Sequence, residues 1–177
     1  MRYVALLRAV NVGGAALPMA QLREVCAALG WENVRTYIQS GNVVFDSGKE
    51  AGPLESALEA AVEQRFALVR PVIIRSAAQW AAYAAGSPFP EREEQEANRL
   101  MLCLSKRPPT ADAAERLQAR ATAGELVRQH RYAIWVFYPD GAGTSKLTPS
   151  LFDKAAGTPV TARNWRTVSK IQEMLED

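Results

Sequence analysis

The sequence is poor in the residues that carry out most enzyme chemistry. It has one histidine, His130, and two cysteines, Cys26 and Cys103. A single histidine excludes histidine-rich metal sites and leaves a Ser–His or Cys–His pair at most one possible member. The two cysteines lie in separate apolar segments, so a disulfide framework is excluded and two reduced, non-catalytic thiols are expected. No close carboxylate pair stands out as an acid–base couple. Long apolar runs are also missing. The stretch "MRYVALLRAV" is broken by Arg8 and is too short for a signal-peptide core or a spanning helix. The expectation is a cytoplasmic protein without membrane association, metal or cofactor.

An excess of one charge is likewise absent. Lys plus Arg is 21 and Asp plus Glu is 19, a net of +2. That excludes a uniformly basic nucleic-acid protein but leaves room for a local basic patch. The charge is uneven along the chain. Residues 98–177 carry 12 basic and 8 acidic groups, whereas "SPFPEREEQEA", residues 87–97, carries one basic and four acidic groups.

What is present is a repeated order of elements. Residues 2–10 read as a strand, Pro18 opens a helix and Gly30 ends it. "VRTYIQSGNVVF" reads as two strands around a tight turn at Ser40-Gly41-Asn42. Pro53 opens a second helix, "LVRPVIIRS" is an edge strand, and "SAAQ" is a capping box for a short helix ending at Gly86. The second half has the same order. "NRLMLCLS" is a strand, Thr110 caps a helix running to about Thr122, and "ELVRQHRYAIWVFYP" holds one or two strands. Thr148-Pro149 starts a helix that Gly157 stops. "PVTAR" is a strand and "NWRTVSKIQEMLE" a last helix. The prediction is an α+β protein of two ferredoxin-like β-α-β-β-α-β units in tandem, each followed by a helix. The units span 1–86 and 98–177, with 87–97 as linker.

Alternation in the strand 34–39 puts Val34, Thr36 and Ile38 on one side and Arg35, Tyr37 and Gln39 on the other. The apolar set is expected against the helices, and the Arg-Tyr-Gln set on an open sheet face. In "YAIWVFY" both sides are apolar, so that strand is expected to be covered twice.

Three polar blocks stand out. In the first, Arg8, Asn11, Gly13 and Gly14 follow a strand and precede a helix, where backbone N–H groups can approach an anion. Neither the dinucleotide spacing nor the P-loop spacing is present, and a flexible turn with a solvated arginine is the plain alternative. In the second, "GAGTSKL", residues 141–147, Ser145 and Lys146 offer a hydroxyl and a cation after a glycine turn. In the third, "TARNWRTVSK", Arg163, Arg166 and Lys170 share one side of the last helix if it starts near Asn164. An amphipathic helix capped by Asn164 explains that block equally.

Taken together, "LLRAVNVGG", "VRTYIQSGNVVF", "GAGTSKL" and "TARNWRTVSKI" resemble, in order and spacing, the blocks of the domain-of-unknown-function family numbered 1697. The resemblance implies an α+β, ferredoxin-like architecture and no particular activity. By position, the family's motif residues fall on Arg8, Asn11, Gly13, Gly14, Arg35, Tyr37, Gln39, Ser40, Gly41, Asn42, Ser145, Lys146, Thr161, Arg163, Asn164 and Thr167. The chain departs from the family pattern at Ala9, where relatives carry glycine. It departs again in the loop "AALPM", which lacks their lysine or asparagine.

A set rich in Arg, Lys, Asn, Gln and Thr and poor in carboxylates favours an anionic partner. The leading expectation is a protein that binds a phosphate-bearing ligand or a nucleic-acid segment through Arg8, Asn11, Gly13, Gly14, Arg35, Gln39, Ser40, Asn42, Ser145, Lys146, Thr161, Arg163 and Asn164. The cations Arg8, Arg35, Lys146 and Arg163 would then gather in one cleft. An enzyme using Arg and Lys to stabilise charge on an anionic substrate is one alternative. A structural or assembly module without a small ligand is the other. No catalytic residue is assigned.

Overall fold

The computed structural model describes residues 1–10, 14 and 16–177. The elements run β1 (Arg2–Leu7), α1 (Met19–Ala28), β2 (Glu32–Tyr37), β3 (Asn42–Asp46), α2 (Ala51–Phe66), β4 (Val72–Ser76) and α3 (Ala77–Ala84). They continue β5 (Leu100–Ser105), α4 (Ala113–Gln118), β6 (Leu126–His130), β7 (Ala133–Phe137), α5 (Pro149–Ala156), β8 (Val160–Asn164) and α6 (Trp165–Glu176). Two antiparallel four-stranded sheets result, ordered β2-β3-β1-β4 and β6-β7-β5-β8. Both are the split β-α-β order, and each is followed by a helix, as predicted. The chain divides into two compact units, Met1–Trp80 with Ile171–Asp177, and Ala81–Lys170.

In the first unit, Tyr3, Ala5 and Leu7 of β1 and Val43 and Phe45 of β3 share one buried cluster with Leu22, Cys26, Leu54, Leu58 and Val62 of the helices. Trp31 stacks on Phe45 with ring centroids 3.7 Å apart. Val34 packs against this cluster, which agrees with the alternation of its strand, but Ile38 lies past the end of β2 and is exposed, contrary to that reading. The other sheet face is not open, contrary to expectation. Val4, Leu6, Val44 and Ile73 are at most 2% exposed, Arg35 and Tyr37 are half-buried, and Gln39 lies beyond the end of β2. The strand pattern shows which face a residue occupies but not what covers that face.

In the second unit, Cys103, Ile134 and Val136 pack with Leu117, Phe152, Ala155 and Ala156. The alternate residues Leu102, Leu104, Trp135 and Phe137 are buried too, so both faces of β5 and β7 are covered.

Helix side chains accept backbone N–H groups on three of the four edge strands. On β4, the N–H groups of Val72 and Ile74 donate to Glu59 Oε1 and Glu55 Oε1, each at 2.8 Å. On β8, Val160 N–H donates to Asp153 Oδ1 at 3.0 Å. On β6, Val127 N–H donates to Gln118 Oε1 at 2.7 Å. An unpaired strand edge is a template for foreign strands, and these acceptors occupy part of it.

Some helix signals act as read. Ser76 and Gln79 form a reciprocal capping box, with N–H to Oε1 at 2.9 Å and N–H to Oγ at 3.2 Å. Thr148 caps α5 through Leu151 N–H, and Gly157 ends it at φ 74°. Others are corrected. Pro18 precedes α1 in an extended conformation, and α2 begins at Ala51 ahead of Pro53. Thr110 does not cap α4, which starts at Ala113 and stops at Gln118. Its hydroxyl donates instead to the Ala155 carbonyl at 2.8 Å.

Gly41 sits at φ +76°, and a Cβ there would lie 2.9 Å from Leu7 Cβ and 2.8 Å from Val10 Cγ2. Gly41→Ala should therefore cost about 2–4 kcal/mol, from left-handed strain plus overpacking. The urea midpoint measures it; an unchanged midpoint would contradict this packing.

Candidate anion site

Arg8 is half-buried just past β1, and its N–H donates to the Pro71 carbonyl at 3.1 Å. Ala9, where the family pattern has glycine, is held at φ +53°. Its carbonyl accepts Arg70 Nε at 3.1 Å. Gly14 is exposed at φ +85° with open space about it. Asn11 and Gly13 lie outside the described residues.

The block at 35–42 is knitted into the first unit. Asn42 is fully buried. Its Nδ2 donates to the Tyr37 carbonyl at 3.0 Å and to Ser40 Oγ at 2.8 Å, bridging the loop from β2 to β3. Arg35 donates to the Met174 carbonyl and, at 3.3 Å, to Asp177 Oδ2. Arg2 donates to the Leu175 carbonyl at 3.1 Å and pairs with Asp46 at 3.1 Å. The last carbonyls of a helix lack intrahelical partners and carry partial negative charge. Two arginines of the first sheet thus hold the end of α6.

The block at 141–147 carries an acid that its own sequence does not show. Ser145 Oγ donates to Glu125 Oε1 at 2.5 Å and accepts Leu147 N–H at 3.1 Å. Glu125 is buried and also accepts Ala123 N–H at 2.8 Å. The Ser145 hydroxyl, then the backbone amides, hold the Glu125 carboxyl below its ordinary range against the opposing effect of burial. The depression beside it, lined by Glu125, Asp140, Gly141 and Ser145 among others, has essentially no room for a water. Lys146 is exposed.

The block at 161–170 is corrected in one respect. Arg163 lies in β8 and is buried, not on the solvent face of α6 with Arg166 and Lys170. Its Nη1 donates to Thr161 Oγ1 at 2.9 Å and to the Ala162 carbonyl at 2.8 Å. Burial pulls its pKa down to about 10, so it stays charged at neutral pH. Asn164 Oδ1 accepts Thr167 N–H at 2.9 Å, which is the predicted cap. Of the four cations expected in one cleft, Arg8 and Arg35 belong to the first unit, and Lys146 and Arg163 to the second.

Three exposed cations gather at a different place. An open groove of about 290 Å³ runs between α4 and α5. Arg116, Arg120 and Lys154 rim it, and Leu117, Ala119, Leu151 and Ala155 complete it. All three cations are exposed, and none makes a side-chain hydrogen bond or ion pair among the described residues. No carboxylate lines the groove. Arg116 lies in α4, and Arg120 lies in the turn just past its end. Lys154 joins them only through the packing of α5.

The thiols of Cys26 and Cys103 are buried, and burial pushes both up to about 12. Neither is a nucleophile at neutral pH. Among the described residues no three His, Cys, Asp or Glu side chains cluster as a metal site, and no helix is long and apolar enough to cross a membrane.

Asn164→Ala should cost about 1 kcal/mol, read as a lower denaturation midpoint; no change would speak against the cap. Because the Glu125 carboxyl is lowered on folding, its stabilisation is complete above its unfolded value and is lost as pH falls through the folded one. Glu125→Gln should therefore destabilise at pH 7, and the gap to wild type should narrow by pH 3. A gap independent of pH would refute that role.

Three comparisons place the chain. No curated protein matches it. A solved structure, the conserved bacterial protein SP0830 from Streptococcus pneumoniae, has a TM-score of 0.76 at 24% identity, covering 98% of each chain. That likeness concerns the fold. Residues 1–135 match the family described as Protein of unknown function (DUF1697), a span that ends before the blocks at 141–147 and 161–171. The chain belongs to that family.

Proposed function

We propose that this protein binds a phosphate-bearing ligand in the groove between α4 and α5. The observation that supports this is the gathering of Arg116, Arg120 and Lys154 about one opening without a carboxylate in its lining. Guanidinium groups match phosphate oxygens in geometry and charge. Three cations about one groove repel one another, and a bound anion relieves that repulsion.

The first unit supplies a comparison. There Arg65, in the last turn of α2, meets Glu24 of α1 at 2.6 Å. Lys154 occupies the last turn of α5, the element in the same topological place. Across from it stand Arg116 and Arg120 rather than an acid. The neighbouring carboxylate of Asp153 is engaged with Val160 N–H.

The sequence blocks support a second, compatible reading as framework. Asn42, Asn164, Ser145 and Arg35 each satisfy a backbone or buried group inside the fold.

A ligand that binds only the native state raises the melting temperature. Inorganic phosphate at low ionic strength should raise that of the wild type. The Arg116→Ala, Arg120→Ala double variant should lose the shift while its melting point without phosphate stays close to wild type, since both positions are exposed. Added sodium chloride should reduce the shift. An equal shift in wild type and variant would refute this site.

A further inference from the structure

We infer that the groove between α4 and α5 takes a small, soluble phosphate monoester with an aliphatic body, one per chain, rather than a run of nucleic-acid backbone. The inference rests on the reading of the groove as a phosphate site and adds the class of ligand.

The floor of the groove is apolar. Leu117 is 1% exposed and Ala155 is 5% exposed, and Leu151 forms a half-buried wall. A site for a bare anion gains little from such a floor, whereas an alkyl group lying on it leaves water. The volume, about 290 Å³, is at the small end of ligand pockets, which run from about 300 Å³ upward. It suits one charged head and a short chain.

The same lining argues against a polymer. Bases bound as single strands stack on aromatic side chains, and no aromatic residue lines the groove. A phosphate backbone also needs a continuing track of cations. In sequence the cations instead follow Asp112 and Glu115, both exposed. The exposed large apolar side chains, Met1, Ile38, Val69, Leu126 and Tyr132, are not among the lining residues, so among the described residues no apolar wedge for entry into a bilayer flanks the cations.

The first unit does not duplicate the site, because the Arg65–Glu24 pair places an acid where the second unit has only cations. This gives the expected stoichiometry of one.

The test is isothermal titration of the full chain with four probes. They are inorganic phosphate, hexyl phosphate, a twelve-nucleotide single strand, and vesicles containing phosphatidic acid. Hexyl phosphate should bind at one site, at least tenfold more tightly than inorganic phosphate. Leu151→Ala should reduce that advantage several-fold. Arg120→Ala should weaken both. Equal affinity for the two small probes would overturn the ligand class while leaving the phosphate site in place. Tighter binding of the oligonucleotide or of the vesicles would overturn it as well. Failure of all four probes would remove the phosphate reading itself, and this inference with it.

Discussion

An edge strand leaves a row of backbone N–H groups that must find acceptors, and much of this molecule is arranged around that need. Each sheet has only four strands, so half of its strands are edges. The helices lend side chains to three of the four edges. Glu55 and Glu59 reach β4, Asp153 reaches β8, and Gln118 reaches β6. A carboxylate accepting backbone N–H groups is held in place and gives a stronger bond than a neutral acceptor. It is also drawn away from the cations around it. Asp153 and Lys154 are neighbours in sequence, yet the acid turns to the strand while the lysine faces the groove. Among the described residues Lys154 has no carboxylate partner.

The same economy explains the polar blocks. Asn42 closes a loop, Asn164 caps a helix, Ser145 anchors Glu125, and Arg35 with Arg2 holds the final carbonyls of α6. Each meets a group that would otherwise be buried without a partner, which costs more than an average hydrogen bond contributes. Such residues sit at fixed spacings because the backbone turns they serve do. A regular polar pattern in a sequence therefore marks a recurring geometry before it marks a ligand.

This bears on how much of the protein was legible in advance. The order of elements, the capping box at Ser76 and Gln79, the Thr148 cap, the Gly157 stop and the Asn164 cap depend on residues within a few positions of one another. Periodicity and turn chemistry report such things directly. Ala9 belongs here as well. Its left-handed φ of +53° gives the physical reason for glycine in the family pattern. What was not legible depends on distant packing. Thr110 was read as a cap because its local context suits one, but its hydroxyl is taken by Ala155, 45 residues away. Arg163 was placed on a helix face because the strand-to-helix junction lies one residue later than the charge pattern suggested. The partner of Arg35 comes from the far end of the chain, and no local signal announces it. The covered face of the first sheet was missed for the same reason.

The groove shows how one half of a repeated fold can gather cations without a sequence motif. The two units share an order of elements, and each sets one helix beside another. In the first, the cation at the end of the second helix is matched by Glu24; in the second, the corresponding cation is joined by two more. A few changes of side chain on exposed helix faces suffice for that difference, because such positions carry little of the folding energy. Neither α4 nor α5 needs unusual local structure to present these residues, so periodicity reads them as ordinary solvated faces. The distinction lies in the opposite charge that one unit has and the other lacks, and it becomes visible only when the two helix pairs are compared as parts of the same repeat.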